Sequence, residues 1–496
     1  MAWSPPAWAT GPFTLDVRSL ACFRVALGAV VLADAVLRIR DVPLMLAPDG
    51  MFPLAALREF FGDRWTWSLA FLVDATWWGA CVLAVEGLAG IALAAGAGTR
   101  VATVAAWIAV VSIVRRTAPA TNAGDEWLCC LLFWGMFLPL GAAWSVDARR
   151  RGREASFPTI CSPATAALVL QIAAVYLSAG TAKWNEAWLS GSAVATVLSL
   201  HDHGSAWGDA LAGHVALCRL LTWGVLALEL AGPCLLVAIR SPAVRLSLVA
   251  IFMTFHAATA VLMSIGLFAY VGLAAWLAIL PTQAWAWGSG GFAGGAPHDD
   301  ARVRAAPQRA WESLAVAAAL GVAAASFVHA NTGWRARPLP APLRAAVRLT
   351  CLSQDWGMFG DVPAQRQWVY GRGTAADGSI VDVLRNGSRL EETLPAGGYT
   401  SLPHHRWHKL LWELPTPERR VFSPSVAAAI AADWNRRHAP AERLIALEIR
   451  AVRTGFARGT SPAAITRHEL LLASWPPRDA TGRGNLDRRL DELPTP

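Results

Sequence analysis

The amino-acid sequence predicts an all-α polytopic membrane helical bundle with about nine transmembrane helices, followed by a small C-terminal extramembrane α+β domain. Three observations carry this prediction. Of the 496 residues, 55% are hydrophobic and only 16% are charged, whereas a soluble domain carries roughly 25% charged residues. Apolar runs long enough to cross a hydrocarbon core as helices recur between residues 19 and 330. Beyond Trp334 the chain turns charged and is broken by prolines, beginning with Pro338, Pro340 and Pro342. This balance excludes a disordered chain, a nucleic-acid-binding domain and an ordinary cytosolic enzyme.

The expected spans are roughly residues 19–38, 76–97, 99–114, 126–144, 161–182, 215–239, 243–263, 265–286 and 311–330. The first lacks a basic leader and a small-residue cleavage site, so it reads as uncleaved. The net charge of +8 comes largely from arginines beside these spans, where they act as topology signals and not as a nucleic-acid surface. With the N-terminus cytoplasmic, the cytoplasmic loops hold Arg100, the run Arg149-Arg150-Arg151-Gly152-Arg153, Arg240, Arg245, Arg302, Arg304 and Arg309. The opposite loops keep Arg38, Arg40, Arg115 and Arg116, and the basic cluster near residue 150 sets the balance. An odd number of spans then places the tail outside a cell (inner) membrane. Tryptophan outnumbers tyrosine 25 to 4, as suits rings that sit against membrane lipid at headgroup depth.

The membrane domain is expected over residues 1–334 and the extracytoplasmic domain over residues 335–496. In the tail, Trp368 to Leu384 alternates around Asp377-Gly378 and reads as a β-hairpin. Residues 424–437 and 440–453 read as helices, and the stretch from about 475 as loose. Seven of the eight cysteines lie in or beside apolar spans, which reads as buried thiols and not as a disulfide framework. No metal site is expected. His201-Asp202-His203 with Asp209 and His214 lacks a recognisable ligand spacing. The cluster His404-His405-Arg406-Trp407-His408 reads as a surface or membrane-facing patch.

Ionisable groups within hydrocarbon are costly and face the bundle interior. Arg24, Asp34, Glu86, Glu229 and His256 fall inside spans, with Asp125 and Lys183 near span ends. Arg24 and Asp34 read as structural, while His256 is either a core histidine or part of a site. Lys183 stands apart. Only two of the 43 basic residues are lysines, Lys183 and Lys409. Arginine anchors a helix end as well as lysine does, but only lysine can release its proton and act as a base. Lys183 is therefore an anchor or a proton acceptor.

The residues around Lys183 carry a resemblance. Ala179-Gly180-Thr181-Ala182-Lys183-Trp184-Asn185-Glu186-Ala187-Trp188-Leu189-Ser190-Gly191 resembles the Ala-Gly-x-x-Lys-x-x-x-x-Trp-x-x-Gly stretch of vitamin K-dependent γ-carboxylases. Phe255-His256 followed by Ser264-Ile265-Gly266-Leu267-Phe268-Ala269-Tyr270-Val271 resembles a second stretch of that family, and Trp144-Ser145-Val146-Asp147 a third. The resemblance runs over roughly residues 19–290 and extends to bacterial HTTM-domain (horizontally transferred transmembrane domain) proteins. Gln354-Asp355-Trp356-Gly357-Met358-Phe359-Gly360 is similar to the Gln-x-Trp-x-Met-Phe signature of that wider group.

What the resemblance implies is a membrane enzyme with a reduced naphthoquinone of the vitamin K type as co-substrate. Lys183 would be the base that deprotonates it, with Asp125 and His256 as further catalytic positions. Glu229, Trp184, Thr259 and Tyr270 would contact the quinone. Reaction with O2 would yield a stronger base that removes a γ-proton from a glutamate-containing protein or peptide, to which CO2 adds. Two positions depart from the family: Asp125 replaces a histidine and Thr259 an asparagine. An ionised carboxylate accepts hydrogen bonds but cannot donate them as imidazole does. The rival class is a non-enzymatic scaffold or export-assisting protein that keeps the fold.

Overall fold

The computed structural model of the chain describes residues 11–152, 159–199, 205–285, 304–305, 309–363, 365–391, 393–395, 401–455 and 467–477. Asp16, at the end of strand β1 (Leu15–Asp16), accepts from the Arg18 backbone N–H at 2.8 Å and so caps α1, Val17–Arg38. After the short α2 (Leu54–Phe61), α3 (Thr76–Ala95) and α4 (Thr99–Arg116) form an antiparallel pair. Next come α5 (Ala123–Gly135), α6 (Val146–Arg150), strand β2 (Thr159–Cys161) and α7 (Pro163–Ala182). Three short helices, α8 (Glu186–Leu189), α9 (Ala193–Ser199) and α10 (Ala206–Ala212), lead into α11 (Val215–Ala238) and α12 (Pro242–Leu262). The bundle closes with α13 (Phe268–Leu277), strand β3 (Arg304–Ala305) and α14 (Ala310–Ala330).

Among the described residues, six helices are long and apolar enough to cross a membrane: α1 with its continuation to Leu46, α3, α7, α11, α12 and α14. The chain is a multi-pass membrane protein. The other three expected spans are helical but differ in kind. Arg100, Arg115 and Arg116 make α4 too charged, while α5 has 13 residues and α13 only 10. Two glycines let α1 and α3 meet backbone to backbone. A Cβ on Gly28 would lie 2.6 Å from the Gly90 carbonyl oxygen, and one on Gly90 2.9 Å from that of Gly28.

The tail continues through α15 (Ala341–Thr350) into an antiparallel sheet ordered β6-β5-β4-β7-β8. Its strands are β4 (Gln365–Ala375), β5 (Ile380–Asp382), β6 (Ser388–Arg389), β7 (Leu444–Gly455) and β8 (Arg467–Trp475). Helices α16 (His405–Glu413) and α17 (Ser423–Arg437) complete it. The hairpin expected around Asp377-Gly378 is the β4–β5 pair, with Gly378 at φ 87°. The helix expected over 440–453 is instead strand β7, because Leu444–Gly455 pairs with β4 along almost its whole length. Residues 478–496, which hold most of the stretch expected to be loose, lie outside the described residues. All eight cysteines are free thiols.

The larger hydrophobic cluster of the tail is shared with the first part of the chain. Met45, Met51, Phe52 and Leu57 pack into the same cluster as Trp407, Leu411, Phe422, Ile430 and Ile449. The cluster around His404 is not a surface patch: Arg406, Trp407 and His408 are buried. Its centre is Arg406, whose guanidinium donates to Asp125 at 2.7 and 2.8 Å and to Asp34 at 2.5 Å. Arg38 donates to the same two carboxylates, at 2.9 Å to Asp34 and 3.2 Å to Asp125. Asp41 ties α16 down further, contacting the His404 ring at 2.5 Å and accepting from Trp407 Nε1 at 3.2 Å.

Removing one partner of such a network strands charge in a low-dielectric interior. Arg406→Ala is expected to lower stability by about 3–5 kcal/mol, measured by thermal unfolding in detergent, whereas Lys409→Ala on the same helix changes it little. Burial, then the charge of Arg406, hold the His405 imidazole down to about 3. The unfolded chain takes up this proton near its ordinary value of 6.5 while the folded chain refuses it. Stability from this group is thus fully present above pH 6.5 and declines as pH falls toward 3. His405→Asn is expected to lose less stability than wild type between pH 6.5 and 4 in the same assay.

Candidate functional site

Helix α7 starts at a reciprocal cap, with Ser162 Oγ accepting from the Thr165 N–H and Thr165 Oγ1 accepting from the Ser162 N–H. It ends at Lys183, whose backbone N–H closes on the Gly180 carbonyl at 3.2 Å. Gly180 lets α11 come close: a Cβ there would lie 3.1 Å from the Glu229 carbonyl carbon. That approach sets Glu229 beside Lys183, and Nζ lies 2.8 Å from Glu229 Oε2. On the same helix Pro233 has no N–H to give the Glu229 carbonyl four residues earlier, so the helical ladder is open next to the pair.

Lys183 is 3% exposed. Besides Glu229, its ammonium donates to the Met358 carbonyl at 2.8 Å and, more weakly, to Ala179 O at 3.4 Å. It also lies 5.1 Å from the centroid of the Trp188 ring. These groups form the polar end of a cavity of about 160 Å³. Its walls are otherwise largely apolar, with Val225 from α11, Phe255 and Leu262 from α12, and Ile265, Phe268 and Phe359 from loops and helix starts. Thr259 and Tyr176 add hydroxyls to the lining. An apolar pocket with few convergent polar groups is the usual form of a small-molecule site.

His256 is fully buried and reaches this cavity through Tyr176. The Tyr176 hydroxyl accepts from Trp276 Nε1 at 2.7 Å and shares a 2.6 Å hydrogen bond with His256 Nε2. Phe252 and Trp276 stack at 4.2 Å beside it. Lys183, Glu229 and Thr259 are thus brought together, with His256 one side chain removed. Three expected positions go elsewhere. Asp125 is not at the cavity, because Arg38 and Arg406 hold its carboxylate and its Oδ2 accepts from the Asn122 N–H as a helix cap. Trp184 and Tyr270 do not line it either, being 65% and 50% exposed on the bundle surface.

Arg24 and Asp34 hold the bundle together. Arg24 donates to the carbonyls of Leu140, Ala143 and Trp144 at 3.1, 3.2 and 2.7 Å, closing the loop after α5 onto α1. Asp34 belongs to the Arg406 network. His201, Asp202 and His203 lie outside the described residues. Among the described residues no group of three histidine, cysteine or carboxylate side chains converges as a metal site.

Sequence reasoning missed the contribution of the tail. Three consecutive carbonyls, those of Met358, Phe359 and Gly360, accept from Lys183, Trp188 Nε1 and Asn185 Nδ2 at 2.8, 2.9 and 2.8 Å. The two motifs Ala179–Gly191 and Gln354–Gly360 are therefore one structural unit, although about 170 positions separate them. Side chains further back fasten it: Gln354 exchanges amide hydrogen bonds with Gln171 at 2.8 and 2.9 Å, and the Trp356 N–H donates to Ser178 Oγ at 3.2 Å. Two conspicuous motifs were the available signal, but neither shows its partner in sequence.

The Lys183–Glu229 pair gives a stability test. Lys183→Met leaves a buried carboxylate without its cation and is expected to cost about 3–5 kcal/mol. Adding Glu229→Gln to that variant restores most of the loss, because the stranded charge is gone. Thermal unfolding in detergent of the two single variants and the double variant measures the coupling, and simple additivity would contradict the pair.

Neither a curated protein nor a solved structure matches the chain. The model of the HTTM domain family matches residues 14–285, more than half of the sequence, including α7, α11, α12 and the cavity residues they supply. The chain belongs to the HTTM domain family.

Proposed function

We propose that this HTTM protein is a quinol-dependent membrane enzyme of the carboxylase-like kind, with the Lys183 cavity as its site. One observation carries this reading: the lone intramembrane lysine is buried against Glu229 at the polar end of an otherwise apolar cavity. A reduced naphthoquinone of the vitamin K type has matching chemistry, an apolar fused ring with ionisable hydroxyls. When bound, it supplies the reducing equivalents for O2. Lys183 and Thr259 would hold its oxygens, and Phe255, Phe268 and Leu262 its ring. Glu229 keeps the lysine side chain on the cavity wall. The apolar lining excludes water, which strengthens electrostatic interactions and any base formed there. The acceptor in this reading is a glutamate side chain of a protein or peptide, with CO2 as the added group.

In the same reading the protein lies in a bacterial inner membrane with nine passes. The arginine-rich end near Arg149–Arg151 faces the cytoplasm, and the tail lies outside. The expected spans that contain α4, α5 and α13, at 99–114, 126–144 and 265–286, supply the three passes beyond the six long apolar helices. The second reading is a non-enzymatic scaffold or export helper. It is favoured by Asp125, which replaces the family's histidine and is consumed by Arg38 and Arg406.

The test is oxygen uptake and quinone-epoxide formation by purified protein given reduced naphthoquinone, with Lys183→Ala and Lys183→Arg alongside. Epoxide from wild type and at least ~100-fold less from both variants is expected of a general base. Wild-type turnover no higher than the variants, in folded protein, would favour the scaffold, which tolerates arginine at this position.

A further inference from the structure

The cavity is closed on the tail side by the segment Gln354–Gly360. It supplies Met358 and Phe359 to the wall, and Phe359 adopts φ 54°, a left-handed conformation that an aromatic residue takes only at a cost. Its first half is fastened deep in the bundle by Gln171 and Ser178. Its second half is held by three side chains of one short stretch, Lys183, Asn185 and Trp188, each donating to a successive carbonyl. The Lys183 ammonium is paired with Glu229 Oε2 at 2.8 Å, donates to the Met358 carbonyl at 2.8 Å and, more weakly, to Ala179 O at 3.4 Å. A ligand oxygen that approaches Lys183 must take the place of one of these acceptors.

From this geometry we infer that Gln354–Gly360 is the gate of the Lys183 cavity on the tail side, and that the structure shows its self-capped state. The Met358 carbonyl occupies the position on Lys183 that a ligand oxygen takes, and Asn185 and Trp188 are the latches. Glu229 is the permanent partner, because it shares the membrane interior with Lys183. The strained residue at Phe359 and the replaceable carbonyl bonds make the strap the part that yields. Strap opening therefore precedes engagement of Lys183 by anything arriving from the aqueous side. The inference rests on the reading of Lys183 as the ligand-facing group, but its test needs no quinone.

The chain provides the assay, because Lys183 and Lys409 are its only lysines. Purified full-length protein is treated with a water-soluble N-hydroxysulfosuccinimide acetate, and acetylation of each lysine is followed by peptide mass spectrometry. Lys409, with its side chain 34% exposed, is the internal reference. Labelling of Lys183 reports the open population. Asn185→Ala and Trp188→Phe each remove one latch or weaken it, and each is expected to raise the Lys183 rate about tenfold, with Lys409 unchanged. Ala182→Cys with Gly357→Cys closes the gate covalently. A Cβ on Gly357 lies 3.7 Å from that of Ala182, within disulfide range. The oxidised pair is expected to label Lys183 more slowly than wild type, with reductant restoring the rate.

Equal Lys183 labelling in wild type, latch variants and oxidised pair would overturn the gate. A simultaneous rise at Lys409 would mark general unfolding, and the oxidised pair then decides alone. Gated labelling without epoxide formation would leave the strap standing and remove the enzymatic reading. Epoxide formation with ungated labelling would do the reverse.

Discussion

The structure depends on a buried guanidinium. Arg406 lies between Asp34 of α1 and Asp125 of α5, with Arg38 completing a set of two cations and two anions that are all but sealed from solvent. In an interior of low dielectric no member of that set is tolerable alone, and removing one leaves the others unbalanced. Arg406 comes from the tail, 281 positions after Asp125. Asp34 and Asp125 therefore outnumber Arg38, and Arg406 from the C-terminal part of the chain restores the balance. The apolar cluster joining Met51 and Phe52 to Phe422 and Ile430 lies around that anchor.

Fixing α16 on the bundle has consequences for the cavity. The strap that walls it runs between α15 and β4, and the sheet of β4 packs through the same core as α16. The Lys183 site is built on the principle that governs the Arg406 network. A buried charge is paired, Lys183 with Glu229, and its remaining donors go to carbonyls of the chain. The difference lies in what can be exchanged. Arg406 is gripped by two carboxylates from two helices, whereas Lys183 leans partly on a strap whose carbonyl another oxygen can replace.

Six of the expected spans were legible because hydropathy is a local property: a run of about 20 apolar residues is a membrane helix whatever surrounds it. Lys183 was legible for a related reason, since a lysine in an arginine-using chain is conspicuous without any knowledge of contacts. Residues 440–453 were not. Leu444-Ile445-Ala446-Leu447-Glu448-Ile449 fits a helix or a strand, and only its ladder with β4 decides between them. Trp184 and Tyr270 have the right chemistry for a ring-binding wall, but a side chain's direction follows from the local backbone, the turn after α7 for Trp184 and the rotation of α13 for Tyr270, which the sequence alone does not fix. The residues around Arg406 gave the opposite error. A cluster of three histidines, an arginine and a tryptophan reads as surface until its carboxylate partners are known.

By itself the sequence determined the solvent of this protein, the approximate positions of its helices and the singularity of Lys183, because these follow from composition and local periodicity. The tertiary structure decided which ionisable groups meet. It sent Asp125 to Arg406 and away from Lys183, set Glu229 against the lysine, and made the Gln354–Gly360 motif a wall of the cavity. The physical reason is the range of the interactions. Burial of an apolar run is settled within one helix, whereas a charge in a membrane interior is settled only by a partner of opposite sign, and that partner can come from anywhere in the chain.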